Sequence, residues 1–319
     1  MNKLLEVKNL CVHFFINKGL FRPKKILYAV NDVSFDVGEG EILGIVGESG
    51  CGKSSLGLAL VNLNKITHGE ILFQGQPLSQ LNKGNEARKN IQYIFQDPIA
   101  SLNPRMTVFE IIAEPLKVHY PHLLESAIIE QVLAMMKQVG LSEHQLYAYP
   151  QEFSGGQCQR ISIARALILK PKLIICDESV SALDVSIKSQ IINLLKDLQQ
   201  KFHLTIIFIS HDLGVLKHLC DKILVMYLGK VMEISSHTHL DNFHHPYSQA
   251  LLSAVLVPDP KFKQTLKLIE GTLPSPTAPP PGCVFSSRCP LADEKCQQKS
   301  PPMIELSDGT KAACFKIPV

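Results

Sequence analysis

Residues Gly47-Glu48-Ser49-Gly50-Cys51-Gly52-Lys53-Ser54 have the spacing G-x-x-x-x-G-K-[ST]. They follow a short apolar run, Glu41-Ile-Leu-Gly-Ile-Val46, and precede a stretch of helical character, Leu56 to Leu63. A phosphate-binding loop requires that context. Its glycines let backbone N–H groups close around phosphate oxygens, and the helix N-terminus adds positive potential. Lys53 is placed to reach the β- and γ-phosphates, and the Ser54 hydroxyl to ligate Mg²⁺. A second run, Leu173-Ile-Ile-Cys176-Asp177-Glu178, is an apolar strand that ends in two carboxylates. Acids at strand ends are common, so the pair gains its meaning from the loop. Asp177 then holds the magnesium shell, and Glu178 orients or deprotonates an attacking water.

The nine cysteines form a third set. Cys11, Cys51, Cys158, Cys176 and Cys220 share no spacing, whereas Cys283, Cys289, Cys296 and Cys314 follow C-x5-C-x6-C-x17-C within the last 37 residues. In a reducing cytosol such a cluster reads more readily as a metal site than as disulfides. The spacing lacks the tight C-x-x-C pair of ordinary zinc modules, so iron–sulfur, zinc and reduced thiols all stay open. Cys51 sits in a field of positive potential, which predicts either an accessible, oxidisable thiol of lowered pKa or an inert spacer.

These groups need a scaffold. Of the 319 residues, 45% are hydrophobic and 19% charged, enough for a sizeable core and too apolar for a disordered chain. The net charge of +3, the 7% aromatics and the absence of Trp argue against nucleic acid as a partner. No stretch of 18 apolar residues spans a bilayer, and the start lacks an apolar signal core, so the expectation is a soluble intracellular chain that can rest on a membrane. Residues 4–15 and 28–37 read as strands of an antiparallel layer. The apolar runs at 41–46, 173–176 and 204–209 read as buried parallel strands alternating with helices, for example Ile187 to Lys201. Residues 97–165 read as a helical insertion broken at Pro98, Pro104, Pro115, Pro121 and Pro150. From Pro258 to Pro281 lie seven prolines in 24 residues, a semi-rigid linker to the cysteine segment. The expected fold is α/β: a mostly parallel core, an antiparallel layer and a helical subdomain make up residues 1–257, followed by an extension over 258–319.

At this point a resemblance enters. Phe153-Ser154-Gly155-Gly156-Gln157 is similar to the signature motif of ABC-transporter ATPases, a P-loop NTPase family. Gln96, after Ile91-Gln-Tyr-Ile-Phe95, resembles its Q-loop glutamine. Ser181-Ala-Leu-Asp184 resembles its D-loop, and His211, after Phe208-Ile-Ser210, its switch histidine. The resemblance implies an ATPase that binds ATP through Gly47 to Ser55, with Ser55 included, and Mg²⁺ through Ser54, Gln96 and Asp177. It makes Glu178 and His211 catalytic. It also implies a head-to-tail dimer in which Ser154, Gly155, Gly156, Gln157 and Asp184 face ATP bound by the other subunit. Phe14 falls where the family keeps an aromatic for adenine, with Phe15 or Tyr28 as substitutes. Three departures stand out: Ser179 replaces a proline and loosens the turn after Glu178, Cys158 replaces a basic residue, and Cys176 a small or apolar one.

A narrower resemblance covers the whole chain. Asp97-Pro98-Ile-Ala-Ser-Leu-Asn-Pro-Arg105, His245-Pro-Tyr-Ser-Gln-Ala-Leu-Leu252, and Leu273-Pro-Ser-Pro276 through Pro281-Gly-Cys-Val-Phe-Ser-Ser-Arg-Cys289 resemble the ATPases of oligopeptide/dipeptide importers, a subfamily shared with nickel and antimicrobial-peptide uptake. The Lys18-Gly-Leu-Phe21 extension leans towards the second of the two ATPases in such importers. The resemblance implies a 4Fe–4S cluster on Cys283, Cys289, Cys296 and Cys314. It further implies a second ABC ATPase subunit in a heterodimer, two transmembrane permease subunits and, indirectly, an extracytoplasmic peptide-binding protein. The chain would sit peripherally on the cytoplasmic face of the inner membrane. A soluble ABC ATPase acting on DNA or ribosomes calls for two ATPase domains and a strongly basic surface, and a redox sensor leaves the loop unexplained.

Overall fold

A computed structural model of the chain describes residues 2–16, 25–81, 86–181, 183–236, 239, 242–255 and 269–318. The Lys18–Phe21 extension and the first half of the Pro-rich linker lie outside the described residues. In chain order the elements are β1 (Lys3–Ile16), β2 (Lys25–Gly38), β3 (Ile42–Val46), α1 (Lys53–Leu60), β4 (His68–Phe73), β5 (Gln76–Pro77), α2 (Leu78–Leu81), α3 (Glu86–Asn90), β6 (Ile91–Ile94), α4 (Val108–His119) and α5 (Glu125–Gln138). They continue with α6 (Gly155–Leu167), β7 (Leu173–Asp177), α7 (Val185–Phe202), β8 (Thr205–Ile209), α8 (Leu213–Leu219), β9 (Lys222–Tyr227), β10 (Lys230–Ser236), α9 (Pro246–Ser253), α10 (Glu294–Gln298), β11 (Ile304–Glu305) and β12 (Lys311–Ala312). The elements group into two compact units.

The first unit is built mainly from Leu78–Phe208. In it β6 pairs in parallel with β7, Ile91 opposite Leu173 and Ile94 opposite Cys176. All five residues of β7 are buried, as are all five of β8, so each reads as a continuous apolar run rather than an alternating one. Helix α4 is fixed at its start by a capping box: the Thr107 side chain accepts from the Glu110 N–H, and Glu110 accepts from the Thr107 N–H. The expected break at Pro115 does not occur, because Pro115 lies inside α4. A proline there costs about 3 kcal/mol. Burial of Val108, Phe109, Ile111, Ile112, Ala113 and Leu116 on one face outweighs it, at roughly 1.5–3 kcal/mol for each large side chain. Helix α7 turns Ile191, Leu195 and Leu198 inward at helical spacing, as its pattern predicts.

The second unit holds Lys3–Val37, Ile42–Pro77 and Ile209–Val319. Its antiparallel layer has the strand order β2-β1-β4-β5, with Leu5 opposite Phe73 and a register shift between Lys8 and Cys11. The same unit pairs β3 with β9 in parallel, Leu43 opposite Lys222 and Val46 opposite Val225. β9 then pairs antiparallel with β10, β10 with β12, and β12 with β11. The final strands of the chain thus extend a sheet begun by β3. β8 carries the chain from the first unit into the second.

The capping box at α4 makes a quantitative prediction. Thr107→Ala removes one acceptor from the helix start and should lower stability by about 1 kcal/mol. A fall in the urea midpoint at unchanged slope is the expected reading.

Candidate nucleotide-binding site

In the second unit, β3 runs directly into the Gly-rich loop, and α1 begins at Lys53. Gly52, at φ +106°, caps that helix, and a Cβ there would lie 2.0 Å from the Ala29 carbonyl oxygen. Only glycine satisfies both the dihedral and the approach. Lys53 is buried, and its ammonium donates to the carbonyl oxygens of Gly47 at 2.8 Å and Glu48 at 3.1 Å. Ser49, Gly50 and Ser54 are exposed and Ser55 is half-buried, so the loop presents its hydroxyls outward. Of the two readings of Cys51 the structure favours the second: its thiol is buried, and burial pushes its pKa up despite the opposing charge of Lys53. It is an inert spacer.

Glu48 is held at three points. Its N–H donates to the Tyr247 hydroxyl at 2.9 Å, its carbonyl accepts from Lys53, and its carboxylate pairs with Arg288 at 2.8 Å. Tyr247 reaches the loop because His245 caps α9, accepting the Tyr247 N–H at Nδ1, with Pro246 in the first turn. The N–H groups of His244 and His245 in turn donate to the buried carboxylate of Glu233. Tyr227, Tyr247 and Phe285 pack edge-on with ring centroids 4.8–5.3 Å apart. No spacing in the sequence couples Arg288 or Tyr247 to Glu48. They were visible only as parts of the two C-terminal motifs.

His211 follows Ser210, whose N–H donates to the Ile45 carbonyl, and this places the exposed histidine beside the end of β3 that enters the loop. Asp212 caps α8 through the Val215 N–H. On β1, Phe14 is 36% and Phe15 66% exposed, so neighbouring residues offer two aromatic faces. Tyr28 instead meets His13 edge-on at 4.8 Å.

In the first unit, β7 ends at Asp177, and Glu178 turns the chain at φ +43°. The Tyr93 hydroxyl donates to Asp177 Oδ2 at 2.8 Å, and burial together with the Asp177 charge pushes the Tyr93 pKa up. Tyr93 escapes sequence reading because the β6–β7 register alone brings it to Asp177. Gln96 Nε2 donates to Glu178 Oε2 at 3.0 Å, joining the glutamine and the acid. Ser179 is buried and its hydroxyl makes no ordinary hydrogen bond; the polar group facing it is the Cys176 thiol, itself pushed up to about 12 by burial. Backbone and hydroxyl of Ser181 both donate to the Glu178 carbonyl, closing the turn where a proline was expected. Ser154 and Gln157 form a capping box at the exposed start of α6. Gly156 is needed there, since a Cβ would lie 2.6 Å from Ile187 Cγ2. Cys158 is buried and donates to the Pro150 carbonyl. Asp184 stands exposed at the start of α7 beside Val185, which is 83% exposed.

The tail thiols lie near enough for Cys289, Cys296 and Cys314 to help raise the Cys283 pKa, after burial, to about 11. Backbone N–H groups two residues on, at Phe285, Leu291 and Lys316, donate to the sulfurs of Cys283, Cys289 and Cys314. The donor set suits a soft metal. Yet among the described residues no group of three or more His, Cys, Asp or Glu side chains is placed to hold a metal ion, so the expected metal centre is not laid out in this arrangement. The sulfurs of Cys283, Cys289 and Cys314 are turned towards the N–H groups of their own loops, and the Cys296 side chain faces the Asp293 carboxylate. Among the described residues no helix is long and apolar enough to cross a membrane.

Comparisons with known proteins agree with this geometry. Residues 30–181 match the ABC transporter family model, and residues 233–296 match that of the oligopeptide/dipeptide transporter C-terminal region. The oligopeptide transport ATP-binding protein OppF of Haemophilus influenzae is 54% identical, over 98% of this chain and 97% of its own. OppF of Salmonella typhimurium is 51% identical, over 98% and 96%. Among solved structures, the ATP-binding cassette MJ0796, a dimer in a post-hydrolysis state bound to ADP and Pi, is 28% identical with a TM-score of 0.64, covering 73% of this chain and 98% of that one.

The caps make a pH prediction. Burial lowers the His245 pKa from 6.5 to about 4, and protonation at Nδ1 would also remove the cap acceptor. Above pH 6.5 both states are neutral and the stability is fully present. As pH falls from 6.5 towards 4 the unfolded chain binds the proton first, and roughly 3 kcal/mol is lost. Thermal melts between pH 7 and 4 should show that loss, and a flatter profile in His245→Asn.

Proposed function

The chain belongs to the ABC-transporter family of ATP-binding proteins, in its oligopeptide/dipeptide branch, and from that membership we propose that it hydrolyses ATP to drive peptide uptake through an importer. The observation that carries the hydrolytic half is the pairing of Gln96 with Glu178, beside an Asp177 held by Tyr93. Gln96 holds the Glu178 carboxylate in place, and Glu178 orients an attacking water and draws its proton. Lys53 carries positive charge to the β- and γ-phosphates, and the loop N–H groups cradle them. His211 senses the γ-phosphate. Ser54, Gln96 and Asp177 are the residues that would hold Mg²⁺, which when bound neutralises charge building on the phosphate oxygens. Catalysis here is positioning and charge stabilisation.

Ser154, Gly155, Gly156 and Gln157 offer a helix start to ATP held by a second ATPase subunit, with Asp184 at the same junction. The second ATPase is a different chain, and two permease subunits and an extracytoplasmic peptide-binding protein complete the importer. The chain then lies on the cytoplasmic face of the membrane. The 54% identity to the oligopeptide transport ATP-binding protein of Haemophilus influenzae supports peptides over nickel as cargo. We assign a 4Fe–4S cluster to Cys283, Cys289, Cys296 and Cys314 on donor chemistry alone, because four cysteine thiolates are the ligand set such a cluster takes. Residues 258–319 form an extension to the ATPase portion 1–257.

Glu178→Gln should retain ATP binding, trap a dimer and cut phosphate release at least about a hundredfold. Undiminished release would remove Glu178 from its role. Lys53→Ala should weaken nucleotide binding itself. Co-purification from detergent-solubilised membranes, with iron and acid-labile sulfide assayed, is expected to yield permease subunits and four irons per chain. Zinc in place of iron, or neither, would refute the cluster.

A further inference from the structure

The C-terminal segment reaches into the phosphate loop at one residue. Arg288 lies in the cysteine segment, one position before Cys289, and its side chain is only 9% exposed. Its guanidinium pairs with the Glu48 carboxylate at 2.8 Å, donates to the Tyr227 hydroxyl at 3.3 Å and lies 5.8 Å from the Tyr227 ring centroid. Tyr247 takes the Glu48 N–H. Tyr227 and Tyr247 are fully buried, and Phe285, three residues before Arg288, packs against both. The arrangement is rigid: planar rings of fixed rotamer hold a forked cation on a loop carboxylate.

The chemistry of the loop explains what such a clamp does. Glu48 carries a negative charge within a loop whose task is to receive a triphosphate. Left unpaired, that carboxylate would repel the phosphate oxygens across a few ångströms of poorly screened space. Neutralised and held by its three polar groups, Glu48 instead fixes the first turn of the loop. We propose that Arg288 and Tyr247 are positioning residues of the phosphate loop, and that the C-terminal segment is therefore required for tight binding of the nucleoside triphosphate. The proposal rests on the ATPase reading above. It adds that a residue of the cysteine segment, far along the chain, sets nucleotide affinity by cancelling and orienting Glu48.

The test uses the full-length chain and MgATP, with equilibrium binding measured beside a thermal melt for each variant. Arg288→Gln should raise the Kd for MgATP about tenfold, which corresponds to about 1.4 kcal/mol. The loss should shrink as salt rises from about 0.05 M to about 0.5 M, because a repulsion is being screened. Arg288→Gln combined with Glu48→Gln should bind MgATP at least about threefold more tightly than Arg288→Gln alone, since no charge is then left unpaired. Tyr247→Phe, which deletes one hydroxyl, should raise the Kd about threefold. A merely structural role for Arg288 predicts a salt-independent loss that Glu48→Gln does not repair, and that result overturns the proposal. So does an Arg288→Gln chain that binds MgATP as the parent does. Should Arg288→Gln alone not fold, an unaltered Kd in Tyr247→Phe overturns it. A parent chain that fails to bind MgATP would instead strike at the ATPase reading, and the clamp would fall with it.

Discussion

An ammonium group taken out of water must be ringed by oxygen, and Lys53 imposes that demand on the chain around it. The carbonyl groups of Gly47 and Glu48 meet it, so both peptides must turn inward towards the lysine. That turn is possible only because Gly52 passes within reach of the Ala29 carbonyl, in a conformation closed to other residues. β3 and β9 lie beneath in parallel register and fix where the turn begins. Ser54, His211 and the Glu48 clamp all take their positions from it.

Much of this was legible in the amino-acid order. Loop, acid pair and signature are local patterns, each written in a few consecutive residues whose spacing dictates backbone shape. β3, β7 and β8 were readable because strands buried on both faces have unbroken apolar runs. The same local reading failed at Pro115, where the apolar face of α4 outweighs a helix breaker through contacts that no short window contains. At Cys51 the sequence left two readings open, and burial, which no short window reports, favours the inert one. Tyr93 and Arg288 were illegible for a different reason. Strand register brings Tyr93 to its acid, and packing of the tail segment around Phe285 brings Arg288 to Glu48, so neither pairing leaves a trace in sequence spacing.

The His245-Pro-Tyr segment shows how one short motif serves several physical ends. Histidine caps a helix and must stay neutral to do so, proline presets the first turn, and tyrosine sends its hydroxyl to the loop. Glu233, buried and accepting two backbone N–H groups, anchors the stretch from beneath. A segment with these duties cannot drift without altering the loop it touches.

β12 lies along the outer edge of β10, Glu233 opposite Ala312 and Ile234 opposite Lys311. An uncovered strand edge is a template for pairing with foreign chains. During synthesis β10 is made some eighty residues before β12, which covers it. The nascent polypeptide therefore carries an open edge until β12 is made, and an early stop codon within that interval would leave a sticky product rather than a shorter working one.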